Sequence, residues 1–170
     1  MEDNLSTMAA KKISAKNTGS KAEPKKAHVL YKVAEDFDPA IYQTFNEDPI
    51  ALLTRSKKGL DAKAALDFLY LSGFTASEFQ ETFKTTVKTI QNYFSQELKL
   101  DAALSEKLLK SFALFDKGIS VFGSAKAFQK WLNISSYGLG NQTPFELMDT
   151  ITGINLIEEE LIRIEHGDLA

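Results

Sequence analysis

Few side chains here are of types that make or break bonds. Only two histidines are present, His28 and His166, far apart in sequence, and cysteine is absent. Thiolate metal sites, disulfides and cysteine nucleophiles are therefore excluded. Neither histidine stands in an HExxH or comparable spacing that would build a zinc centre. Three consecutive carboxylates, Glu158, Glu159 and Glu160, are the densest acid–base group. Paired acid–base chemistry needs a cleft and two opposed environments, and nothing in the pattern argues for one. Read as the start of a helix, the run is explained by the helix dipole and solvation. No Gly-rich phosphate loop or nucleophile motif occurs. The sequence points to a non-enzymatic protein with no metal and no cofactor.

A different chemistry is open between residues 75 and 95. Lys84, Thr86, Lys88, Thr89, Gln91 and Asn92 stay exposed if Phe79, Phe83 and Ile90 pack inside a pair of short helices, with Tyr93 anchoring the second. Gln and Asn can pair bidentately with adenine, and Lys can contact phosphate or guanine. Two short helices joined by a three- or four-residue turn, the second uncapped and polar, match the DNA-reading helix-turn-helix. Two positions depart from its usual form. Gln80 stands where a small residue is usual and must be accommodated between the helices. Lys84 stands where the turn usually has Gly, at a cost of roughly 1 kcal/mol if its φ is positive. The open alternative is a trihelical scaffold that keeps the shape without reading DNA.

Caps and periodicity set the elements that must hold these groups. Asp48-Pro49 reads as an N-cap with Pro at the first helical position; Ile50, Leu52 and Leu53 supply an apolar face and Gly59 ends the helix. A second helix runs from about Asp61 to Ser72 on Leu66, Phe68 and Leu69, and Gly73 stops it. Thr75-Ala76-Ser77-Glu78 is a capping box, Lys84-Thr85-Thr86 a turn, and Val87 to Ser95 another helix. Leu104, Leu108, Phe112, Phe115, Ile119 and Phe122 recur at steps of three and four. That is one face of a long helix from near Ser105 to Gly123, with Gly118 weakening its last turn. Ser124 caps a short helix bearing Phe128, Trp131 and Leu132, aromatics expected in the core. A loop from Asn133 to Gln142 holds Gly138, Gly140 and Asn141, all comfortable at positive φ. Thr143-Pro144-Phe145-Glu146 is a second capping box with Pro at its start. Gly153 interrupts that helix, and Asn155 to Glu158 caps the last one, which closes at Gly167.

The fold class is therefore all-α, a helix-turn-helix domain followed by a small helical domain sharing its core. The expected divisions are a flexible basic extension at residues 1–35, a helix-turn-helix domain at 36–103 and a C-terminal domain at 104–170. His28 to Val33 reads as a short strand or packing arm. Residues 1–35 carry seven Lys against four acidic residues, leaving thirteen Lys and Arg against nineteen Asp and Glu beyond them. An acidic body is poor footing for tight DNA binding, which draws on phosphate neutralisation. Twelve Phe and an apolar fraction of 44% suffice for a real core. No stretch approaches the ~18–20 apolar residues that span a bilayer, and no apolar run follows the N-terminal lysines as a signal peptide requires. No membrane partner is expected, and the cytoplasm is the default location.

From Phe115 onward the residues form a specific conjunction. Trp131-Leu132 closes a helix, Leu139-Gly140-Asn141 follows in a loop, Thr143-Pro144-Phe145-Glu146-Leu147 opens a helix, and Leu161-Ile162-Arg163-Ile164-Glu165-His166-Gly167 closes the last. In order and spacing this resembles the toxin-binding domain of the Xre/MbcA/ParS antitoxin family. Upstream, Gly59-Leu60 through Phe94 looks like that family's helix-turn-helix, so the likeness covers roughly residues 48 to 168. Asn141 stands where the family usually has a second Gly; Asn tolerates the left-handed region.

The resemblance implies a partner, a cognate RES-domain toxin of a type that consumes NAD, whose active-site cleft the antitoxin blocks with its C-terminal segment. Here that segment contains Arg163, Glu165, His166, Gly167, Asp168, Leu169 and Ala170. Asp168 and the terminal carboxylate could meet cationic groups that otherwise hold NAD phosphates, and Arg163 could pair with an acidic toxin residue. The plain alternative for Arg163, Glu165 and His166 is a solvated helix face. Operator DNA is a second expected partner. Paired half-sites want a two-fold protein, so a homodimer and a hetero-oligomer with toxin are expected. The competing reading is a helix-turn-helix transcriptional regulator without a toxin partner, its C-terminal module serving only for dimerisation.

Overall fold

The computed structural model describes residues 48–167. The expected basic extension of residues 1–35, with His28 to Val33, and the C-terminal Asp168, Leu169 and Ala170 lie outside the described residues. Within them the chain is all α: eight α-helices, one 3-10 turn and two isolated bridges, Asp61–Lys99 and Ser136–Gln142. No helix among the described residues is long and apolar enough to cross a membrane.

The caps read from the sequence set most of the boundaries. Asp48 accepts the Ile50 amide at 2.8 Å and opens α1 (Pro49–Lys58), which Gly59 ends at φ 80. Of its expected apolar face only Leu52 is buried; Ile50 and Leu53 face solvent. Helix α2 (Lys63–Ser72) buries Leu66, Phe68 and Leu69 and stops at Gly73 in the left-handed region. Helix α3 (Ala76–Phe83) opens on a reciprocal box: Thr75 Oγ1 accepts the Glu78 amide at 3.2 Å and Glu78 Oε2 accepts the Thr75 amide at 2.7 Å. Lys84 turns the chain at φ 55 into α4 (Val87–Ser95).

Helix α5 (Ala102–Phe122) starts three residues before the expected Ser105, because the Asp101 carboxylate accepts the Leu104 amide at 2.8 Å. Ser105 serves the tertiary packing instead. It is fully buried, and its hydroxyl accepts the Leu60 amide at 2.9 Å, which fixes the entry to α2 against α5. Gly118 does not merely weaken the last turn. A Cβ there would stand 2.4 Å from the Phe128 ring, so its absence admits α6 (Ala125–Leu132).

After the 3-10 turn (Tyr137–Leu139), α7 (Pro144–Leu147) is a single turn and α8 (Ile151–His166) completes the fold. The sequence pattern puts the break between these two at Gly153 and the last cap at Asn155. In the structure the break falls at residues 148–150, and Thr150 is the cap, accepting the Gly153 amide at 3.0 Å. Glu158, Glu159 and Glu160 consequently lie mid-helix rather than at a helix start, and Glu160 is buried.

The long α5 packs against α1, α2, α6 and α8. Phe68 is the hub of one continuous core: its ring meets Phe74, Phe83, Phe112 and Phe115 edge-on, with centroids 5.1 to 5.9 Å apart. Such pairs contribute about 0.5–1.5 kcal/mol each beyond burial. Phe115 continues the chain of rings to Phe128, and Phe74 continues it to Phe145 on α7. Helices α2 and α3 and the C-terminal helices are thus packed on the same aromatic cluster.

Candidate functional site

Two surfaces hold the residues singled out in the sequence. The first surrounds α4. Phe79, Phe83 and Ile90 are buried as expected. Tyr93 is not an anchor but is exposed, and Gln80 faces solvent rather than lying between the helices. Nor is α4 uncapped: Thr86 Oγ1 accepts the Thr89 amide at 3.0 Å and shares a 2.9 Å hydrogen bond with the Thr89 hydroxyl. Two of the six polar residues are thus committed to the helix start.

The six are divided by α4. Thr86, Lys88, Gln91 and Asn92 line one groove of about 820 Å³ with Tyr70 and Gln80. Lys84 and Thr89 line a second, beside Tyr93 and Lys107. Lys84 also leans away from α4 to the Asp149 carboxylate at 3.4 Å. A ligand in the first groove would meet Lys88, Gln91 and Asn92 but not Lys84.

The second surface is the end of the molecule formed by the 133–142 loop and α8. The Ser136 amide donates to the Gln142 carbonyl at 3.0 Å and the Asn141 amide to the Ser136 carbonyl at 2.9 Å. Gly140 and Asn141 take the expected left-handed conformation, at φ 67 and 63. Gly138 does not; its role is close approach, since a Cβ there would lie 2.2 Å from Glu160 Oε2. Glu160 holds the loop down: Oε1 accepts the Ser136 hydroxyl at 2.7 Å, and Oε2 accepts Arg163 Nε at 2.8 Å and Nη2 at 2.6 Å. Burial pushes the Glu160 carboxyl up, but the Ser136 hydroxyl and the Arg163 guanidinium together outweigh it and hold the group below the ordinary glutamate value. The second capping box then launches α7: Glu146 Oε2 accepts the Thr143 amide at 2.9 Å and the Thr143 hydroxyl at 2.8 Å, which depress the Glu146 carboxyl.

The expected partner-binding residues of α8 are already engaged within the chain. Arg163 is paired with Glu160, and Glu165 with Lys117 of α5, whose hydrogen bond lowers the Glu165 carboxyl. His166 Nδ1 lies 2.8 Å from the Ile162 carbonyl, and Gly167 closes the helix at φ 77. Sequence reasoning missed the side chains at this end that have no polar engagement to give up. Tyr137 is 77% exposed, Ile134 is also mostly in solvent, and Leu156 is exposed over 43% of its surface. The available signal was an aromatic set in a loop of small residues, Ser135-Ser136-Tyr137-Gly138, where a core role is unexpected.

A half-buried lysine joins the two surfaces. Lys107 of α5 donates to the Thr82 carbonyl in the last turn of α3 and to the Asp149 carbonyl between α7 and α8. Burial lowers its pKa to about 8, with Asp149 opposing the shift and Lys84 adding to it.

No curated protein matches the chain. A family model does match residues 117–167, which run from the last turns of α5 to the end of α8 and contain the Ser136–Glu160–Arg163 network, and that model describes the antitoxin Xre/MbcA/ParS C-terminal toxin-binding domain.

Proposed function

We propose that this chain is the antitoxin of a two-component toxin–antitoxin system, binding its toxin through the C-terminal module. The match of residues 117–167 to an antitoxin toxin-binding domain carries the reading. In the finer form, the toxin is of the RES type, an NAD-consuming enzyme of the cytoplasm. The end of α8, with Arg163, Glu165, His166 and Gly167 and the following Asp168, Leu169 and Ala170, enters its active-site cleft and keeps the dinucleotide out. A helix ended by glycine suits entry into a concave site, and the pairing of Arg163 with Glu160 and of Glu165 with Lys117 lowers the ordering entropy that docking costs. A homodimer, and a hetero-oligomer with toxin, completes the assembly.

The test is co-purification of the chain with the product of the adjacent reading frame, paired with growth rescue. A tight complex that restores growth supports the antitoxin role. Deleting residues 161–170 should abolish rescue; a folded truncation that still protects cells overturns the C-terminal assignment.

A second activity is autorepression of the operon through α4. Its support is the left-handed turn at Lys84 followed by a capped polar helix presenting Lys88, Gln91 and Asn92 beside one groove. The same feature supports the competing reading, a transcriptional regulator without a toxin partner, which an adjacent frame yielding no complex and no rescue would favour.

A further inference from the structure

We propose that the toxin docks first on an apolar face built by the 133–142 loop over α8, with Tyr137 as its anchor, rather than on the charged residues at the end of α8 alone. The proposal rests on the antitoxin reading and adds to it the surface that supplies the affinity.

The face is fixed from below. Ser136 and Gly138 both abut the Glu160 carboxylate, the first through a 2.7 Å hydrogen bond and the second at a distance that leaves no room for a Cβ. Tyr137, between them, is held with its ring outward and 77% exposed. On α8, Leu156 and Arg163 lie one turn before and one turn after Glu160, on the same stripe. The loop that carries Tyr137 is therefore seated at Glu160, on a stripe of α8 that has an exposed leucine one turn to one side and a guanidinium one turn to the other, and Ile134 is exposed in the same loop. Binding energy concentrates in aromatic and arginine anchors, and an anchor held rigid before binding loses little conformational freedom on docking. Here the rigidity comes from the Ser136–Gln142 bridge and two left-handed residues.

The occupant follows from position and charge. Every residue of this face falls within 117–167, the segment that matches a toxin-binding domain, whereas the exposed Tyr93, Phe94 and Leu98 lie outside it. Arg163, Glu165 and His166 already have partners inside the chain, so new polar contacts there compete with existing ones, whereas the exposed apolar side chains meet a partner without that cost. Arg163 spends Nε and Nη2 on Glu160, and its side chain is still 44% exposed. The matching surface is a protein pocket that takes a tyrosine ring, with a carboxylate at its rim facing Arg163.

The experiment titrates the full chain against the protein encoded by the adjacent reading frame. Tyr137→Ala should weaken binding by about 30-fold, the size of an interface hot spot. Tyr137→Phe should restore most of it, and Leu156→Ala should cost several-fold. Phe94→Ala, outside the matched segment, should bind as wild type, and the free Tyr137→Ala chain should unfold at the wild-type temperature. Wild-type affinity in Tyr137→Ala overturns the face while leaving the antitoxin reading intact. No binding by the wild-type chain overturns both. A Tyr137→Ala chain that changes its own oligomeric state yet binds the partner normally assigns the face to a second copy instead, which also overturns the proposal.

Discussion

Lys107 Nζ donates to the main-chain carbonyl of Asp149 at 2.5 Å, across 42 residues of sequence. The same ammonium donates to Thr82 O, one of the terminal carbonyls of α3, where helices leave acceptors unfilled and favour a cation. It also stands 5.7 Å above the Phe83 ring. One side chain of α5 therefore ties the end of α3 to the turn that precedes α8. Its position in the fold gives a prediction in pH.

Burial holds Lys107 near pKa 8, below the 10.5 of a free lysine. Between these values the unfolded chain binds the proton and the folded chain has released it, so this group's contribution to stability rises with pH across the window from about 8 to about 10.5. Half exposure screens the effect, which leaves about 1 kcal/mol. Urea denaturation of wild type and Lys107→Met at pH 7 and pH 10 should show the difference moving by that amount in favour of wild type. A constant difference would mean the ammonium is solvated in the folded chain.

The Glu160 network predicts the opposite edge of the pH range. A carboxylate held below its ordinary value contributes stability that is full above the unfolded-state pKa and is lost as pH falls through the folded one. Glu160→Gln keeps the shape and an acceptor for Ser136 but gives up the ion pair with Arg163. It should cost about 2 kcal/mol at neutral pH, the scale of a hydrogen bond to a charged group, and the gap from wild type should close on acidification. Equal stability at pH 7 would remove the network as the tether of the Tyr137 loop.

Two glycines predict steric rather than conformational failures. A Cβ on Gly153 would fall 1.9 Å from the Leu147 main-chain oxygen, and one on Gly118 would fall 2.4 Å from the Phe128 ring, which is fully buried. Neither obstacle can swing into solvent. Each alanine variant should lose at least the roughly 1–3 kcal/mol of an overpacked core. Gly153→Ala should be the worse of the two, because backbone must move. Thermal unfolding orders them; a Gly153→Ala chain as stable as wild type would contradict the packing of α7 on α8.

These cases show where the sequence was legible. Local chemistry was: Asp48-Pro49, Thr75–Glu78, Ser124 and Thr143–Glu146 open their helices within three residues of sequence, so the pattern and the structure agree there. The C-terminal motif is likewise contiguous, and its likeness is recovered over residues 117–167. Asp101, Thr150 and Thr86 were the exceptions: the first two were overshadowed by Ser105 and Gly153, whose tertiary duties resemble helix signals, and Thr86 was read as part of a turn before an uncapped helix. Lys107, Glu160 and Gly138 were invisible because their partners lie 22 to 42 residues away. The engagement of Arg163 is local in sequence but depends on Glu160 being turned inward, which no residue pattern announces.

The residues around α4 separate DNA contact from folding. Thr86→Ala removes a helix cap and should cost about 1 kcal/mol of stability whether or not DNA is bound. Loss of operator binding in that variant would therefore say little. Lys88 is exposed and has no part in the cap. If α4 lies against DNA, Lys88→Ala should weaken binding to all sequences alike and reduce the salt slope by about 1. Gln91→Ala should instead relax discrimination at one base pair by about 1–3 kcal/mol. Both can be read from titrations of the adjacent operator fragment at several salt concentrations. Lys84→Ala is the internal control, because its cation is turned toward Asp149 and lines the other groove. A salt slope lowered by Lys84→Ala and untouched by Lys88→Ala would put the phosphate backbone on the opposite side of α4, away from Gln91 and Asn92.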